Sequence, residues 1–188
     1  MSGSWLGRIA AILCIISALV VSGCNRDQQR IDEDIEAILR CSEDAFLTSS
    51  EHYDASPAVK VFLNQEESCY YLQYSITIDN PKEQMRDVTA TGLLNDAMIE
   101  FLHAPSLFFT SVLAEAPIDV GNDGSRGLVV SRSFVLLPNS EIDPNGFREF
   151  FQEVWARVTW VDERGNRRSE YFHWTAIEVD DSVWEYLK

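Results

Sequence analysis

The chain has 188 residues, 46% of them hydrophobic, which is enough to bury the core of one ordinary domain. Its 30 Asp and Glu outweigh 15 Lys and Arg, for a formal net charge of −15. That balance argues against a nucleic-acid partner, whose phosphates would go unneutralised, and against electrostatic adhesion to anionic lipid headgroups.

Met1 to Arg8 is a short leader with Arg8 as its only basic side chain. Ile9 to Val21 is then an apolar run of about 13 residues, within the range of signal-peptide cores and short of the ~20 that a spanning helix needs. The run ends in Leu19-Val20-Val21-Ser22-Gly23-Cys24, and the sequence from Asn25 to Arg30 is wholly polar. This stretch resembles the lipobox of bacterial lipoproteins: an aliphatic residue, two small residues, then a cysteine. The resemblance implies that residues 1–23 are a removable signal peptide and that Cys24 carries a diacylglyceryl group. It also implies a lipid bilayer as partner, through acyl chains worth about 0.8 kcal/mol per buried methylene. The body would sit on the extracytoplasmic side of a cell membrane or outer membrane. Asn25 stands where Asp would resemble an inner-membrane retention signal. Residues 24–30 then read as a polar tether and 31–188 as a single β-rich domain.

Export leaves Cys41 and Cys69 as an even pair in an oxidising compartment, where a disulfide between them is expected. The bridge would close about 28 residues and contribute roughly 3 kcal/mol in the chain-entropy model. Neither cysteine belongs to a Cys-x-x-Cys pair, so no zinc site is expected.

Ile31 to Leu47 reads as an amphipathic helix, with Ile31, Ile35, Ile38, Leu39, Ser42 and Phe46 on one face. Asp32, Glu33 and Asp34 fall in its expected first turn, where carboxylates favour the positive end of the dipole. From Ala58 the period changes to two. Val59, Val61 and Leu63 mark a short strand. Cys69 to Asp79 is a clear one, with Tyr70, Leu72, Tyr74, Ile76 and Ile78 sharing a face. Further strands are predicted over 87–94, 107–113 and 128–137, and 95–103 is open between strand and helical turn. Phe147 to Gln152 reads as a short helical connection. Glu153–Val161 and Arg168–Ile177 flank Asp162-Glu163-Arg164-Gly165-Asn166 as a hairpin. Asp180 is placed to cap a last helical turn.

Strands separated by Pro/Gly loops after one helix predict a mainly β fold, an antiparallel β-sandwich. Ser75 to Leu94 and the Trp160–Gly165 hairpin resemble the hairpins of bacterial immunoglobulin-like domains. The alternative is an α+β cone, a curved antiparallel sheet wrapped on the N-terminal helix.

No catalytic constellation, metal set or cofactor motif emerges. Asp119 to Gly124 fails the EF-hand pattern, with Gly121 and Val130 where oxygen ligands are needed. His52, His103 and His173 are isolated, and no Gly-x-Ser-x-Gly turn exposes a serine. The aromatic strands are more informative. Tyr71, Trp155 and a hairpin aromatic such as Tyr171 have the parity to leave the core and form a candidate binding face, unless the helix covers that face. Two functional expectations follow: a non-enzymatic interaction or structural module, with another envelope protein as partner, or a binder of small ligands or carbohydrates through that aromatic face.

Overall fold

A computed structural model of the chain describes residues 26–114, 116–121, 127–138 and 142–187. The Leu19–Cys24 stretch and residues 122–124 of the Asp119–Gly124 loop lie outside the described residues. No described helix is long and apolar enough to cross a membrane.

The fold is mainly β, with ten strands in two five-stranded sheets among the described residues. The first sheet runs β1 (Phe46–Leu47), β9 (Arg167–Trp174), β8 (Val154–Val161), β4 (Arg86–Leu94) and β6 (Phe108–Thr110). The second runs β10 (Glu178–Val179), β2 (Asp54–Asn64), β3 (Cys69–Asp79), β7 (Leu128–Leu136) and β5 (Leu102–His103). Helix α1 covers 26–39, and two short helices follow, α2 (Pro144–Phe150) and α3 (Asp181–Tyr186). Two sheets replace the single curved sheet that the cone alternative requires.

The period-two pattern decides what lies between the sheets. Leu72, Tyr74, Ile76 and Ile78 of β3 turn inward, as do Val154, Ala156, Val158 and Trp160 of β8. Tyr74 meets Phe109 across the layers with ring centroids 6.5 Å apart, and its hydroxyl donates to the Phe151 carbonyl at 2.8 Å. Gly92 is required there, because a Cβ would lie 2.3 Å from the Phe109 ring. Asp143 and Asp180 cap α2 and α3 through their carboxylates. The C-terminal segment also shields the edge of β2: the Asp180 amide donates to Val59 O, and the Val61 amide to Ser182 Oγ, each at 3.0 Å. Pro57 fits within β2 because only the two-residue β10 borders that side.

Three expectations need correction. Residues 26–30 are helical and belong to α1 rather than to a tether, helped by side-chain bonds from Gln28 to Asp32 and Gln29 to Glu33. The helix does not continue to Leu47. A 3-10 turn at Glu43–Ala45 releases the chain, and Phe46–Leu47 pairs in parallel with Tyr171–Phe172 as an edge strand. Backbone bonds offered by β9 outcompete another helical turn. Finally, Cys41 and Cys69 are free thiols, not a disulfide. Cys41 follows α1 on the outer side of the first sheet, whereas Cys69 opens β3 in the second, so the shared core separates them.

Candidate functional site

Alternation turns Thr89, Thr91 and Leu93 of β4 and Trp155, Arg157 and Thr159 of β8 away from the core. Helix α1 roofs this outer face. Its buried stripe is Ile31, Asp34 and Ile38, at three- and four-residue spacing. Ile31 and Ile38 are buried outside the core shared by the sheets, so helix and sheet form a second apolar contact.

Asp34 holds that contact in register. Its carboxylate accepts from Arg157 Nη1 at 2.5 Å and from Thr91 Oγ1 at 2.8 Å. Thr91 also shares a 2.8 Å bond with Thr110. The Arg157 guanidinium lies 5.7 Å from the Tyr171 ring centroid, a cation–π arrangement. Its Nε is buried and has no hydrogen-bond partner among the described residues.

Two openings flank this pair. One is a polar cleft of about 400 Å³ bordered by Arg26, Arg30, Asp87, Arg157 and Arg167. Arg167 pairs with Asp87, and the Thr89 and Thr159 hydroxyls share a 2.8 Å bond on the cleft floor. The other is a groove of about 330 Å³ lined by Ile38, Leu39, Phe46, Leu93 and Trp155, with Cys41 at its border. Trp155 stacks on His173, with centroids 4.7 Å apart and planes within 8°. His173 Nε2 lies 2.9 Å from Glu153 Oε1, and Asn95 Nδ2 donates to the other oxygen of that carboxylate. Burial, and secondarily Asp44, push the Cys41 thiol above its ordinary value. That is the opposite of what an activated nucleophile requires.

Of the residues read as a binding face, Trp155 and Tyr171 share the helix-roofed face, but Tyr71 does not join them. It stands on the second sheet, stacked on Phe62 with centroids 5.6 Å apart, its hydroxyl donating to Glu67. That hydrogen bond, with some burial, pushes the Tyr71 hydroxyl up to about 12. Cys69 belongs to the same hairpin, with its thiol 3.7 Å from Glu67 Oε2. Cys24 lies outside the described residues.

Sequence reasoning missed the Asp34–Arg157 pair, though a signal existed: Asp34 is three residues after Ile31 and four before Ile38. It also missed a polar cluster at the start of β2. His52 Nδ1 sits 3.0 Å from Glu83, its ring is 5.4 Å from that of Trp160, and Tyr53 is fully buried. Burial and the nearby Glu170 carboxylate push the Tyr53 hydroxyl well above its ordinary value. Among the described residues, no group of three or more His, Cys, Asp and Glu could hold a metal ion.

No family model matches this chain, and no curated protein matches it. Among solved structures it is similar to the X-ray structure of Northeast Structural Genomics Consortium target SoR45. That likeness has 12% identity and a TM-score of 0.35, and covers 68% of this chain and 88% of that one.

Proposed function

We propose that the chain is a lipid-anchored bacterial envelope protein whose body is a non-enzymatic interaction or structural module. The observation that carries this reading is the Ile9–Val21 apolar run of signal-peptide length followed by the small residues Ser22 and Gly23 and then Cys24. In this reading residues 1–23 are removed and Cys24 takes the lipid. α1 already includes residue 26, two positions after Cys24, so the acyl chains and the folded body are close neighbours.

Strand order supports an immunoglobulin-like body. The order β9-β8-β4 fits the G, F and C strands of that topology, and β2-β3-β7 fits A, B and E. The Cys41 thiol is shifted away from reactivity, which argues against Cys41 as a nucleophile.

A second reading, a small-ligand or carbohydrate binder, is favoured by the Trp155–His173 stack beside an apolar groove. A flat aromatic face next to convergent polar groups suits a sugar ring. Two experiments separate these claims. Cys24→Ser should shift the protein from the membrane to the soluble fraction, and continued membrane retention would sink the anchoring. Titration with oligosaccharides, followed by tryptophan fluorescence in the native chain and in Trp155→Ala, tests the second reading. A saturable change that Trp155→Ala abolishes would favour it over the first.

A further inference from the structure

The polar cleft under α1 has a charge unlike the rest of this acidic chain. Four of the 15 basic side chains, Arg26, Arg30, Arg157 and Arg167, converge on it. The cleft also carries three carboxylates, of which Asp34 and Asp87 are paired with arginines. Asp34 is engaged by Arg157 and Thr91, Asp87 by Arg167, and Glu33 accepts from Gln29 at 2.9 Å. Asp27 borders the adjoining cleft instead. Arg26 and Arg30 have no hydrogen-bond or ion-pair partner among the described residues, so the charge left unpaired in the cleft is two guanidinium groups against the single Glu33 carboxylate.

We propose that this cleft is a binding site for a compact phosphate-type oxyanion. Arg26 and Arg30 grip it from the helix, above the Thr89 and Thr159 hydroxyls of the cleft floor. Guanidinium forks match the oxygens of phosphate in pairs. A volume of about 400 Å³ accepts a small phosphorylated molecule. The chain's net negative charge does not oppose this, because committed ion pairs shield the cleft and distant charges are screened over roughly 10 Å at ordinary salt. The phosphate has two sources, a free anion or the headgroup of a phospholipid. The site goes beyond the anchoring and is independent of it.

The test is calorimetric titration of the purified full chain in neutral detergent with two probes. Inorganic phosphate represents the free anion, and glycerophosphoglycerol the deacylated lipid headgroup. The comparison variants are R26Q/R30Q and the charge-matched control K60Q/K82Q, both checked for unchanged melting. Saturable binding of either probe, weakened at least ~10-fold in R26Q/R30Q and retained in K60Q/K82Q, supports the site. The tighter probe identifies the source. Absence of saturable binding of both probes at millimolar concentration, or equal weakening in the two double variants, overturns it. Membrane release by Cys24→Ser is read separately, so failure of the anchor and failure of the site are distinct results.

Discussion

The carboxylate of Asp34 on α1 meets the guanidinium of Arg157 on β8 at 2.5 Å, across 123 residues of sequence. The two side chains are 11% and 21% exposed, so most of the Coulomb attraction escapes solvent screening. This pair, between Ile31 and Ile38, fixes the helix over the outer face of the first sheet and so creates both flanking openings.

Asp34→Ala should therefore do more than remove one ion pair. It strands a partly buried guanidinium and removes one of the two hydrogen bonds of the buried Thr91 hydroxyl, with an expected loss of about 2–3 kcal/mol in denaturant unfolding. It should also speed proteolysis within 26–41, because α1 has few other polar ties to the sheet. D34L/R157M replaces both charges with apolar groups and should recover most of that stability. A double variant as unstable as Asp34→Ala would show that the pair is not what positions α1.

The free thiols carry a second prediction. Both are shifted upward, Cys41 by burial and then Asp44, Cys69 by burial and then Glu67. A raised pKa means less thiolate at neutral pH and slower alkylation. Without reductant, the folded protein should incorporate two equivalents of iodoacetamide at residues 41 and 69, slowly near pH 7 and faster as the pH approaches 9. An intact mass two protons light, with no incorporation, would instead establish the bridge expected from their export.

Much of the architecture was legible because alternation is a local property. The inward sets of β3 and β8 follow directly from period two, and so do the outward positions of Trp155, Arg157 and Tyr171. What parity does not encode is the sheet to which an outward residue belongs. Tyr71 and Trp155 both leave the core, but from opposite layers, because pairing partners are set by topology. The end of α1 was illegible for a related reason. Phe46 fits the helical face and Leu47 ends the predicted helix, but β9 offers an edge more than a hundred residues away in sequence. Asp34 was read as a dipole-compensating residue because its partner, Arg157, is equally remote.

Gly92 faces Phe109 inside the core, where a Cβ would lie 2.3 to 2.8 Å from three ring atoms. Phe109 is 1% exposed and packs beside Tyr74, so it has little room to yield. Gly92→Ala should cost about 1–3 kcal/mol by overpacking. The change should appear as a lower unfolding midpoint with an unchanged denaturant slope. Gly92→Ala combined with Phe109→Leu should regain part of the loss, and a single variant of wild-type stability would refute the steric account.

Asp162 supplies the pH dependence. It begins the β8–β9 turn and accepts from the Arg164 and Asn166 amides at 3.0 and 2.8 Å and from Arg168 Nε at 2.9 Å. These bonds, the Asn166 amide foremost, hold its carboxyl down at about 2, against an ordinary value of 3.8. A carboxyl lowered by folding stabilises the native state above its unfolded pKa, and that contribution is lost as pH falls towards the folded one. Stability should therefore be flat in this respect above pH ~5 and decline between pH ~4 and ~2. Asp162→Asn retains the shape and some acceptor capacity but has no charge to titrate. Its stability deficit relative to the native chain should be largest near pH 6 and shrink towards pH 2. A deficit that stays constant across that window would mean that turn geometry, rather than the ionised carboxylate, is what Asp162 contributes.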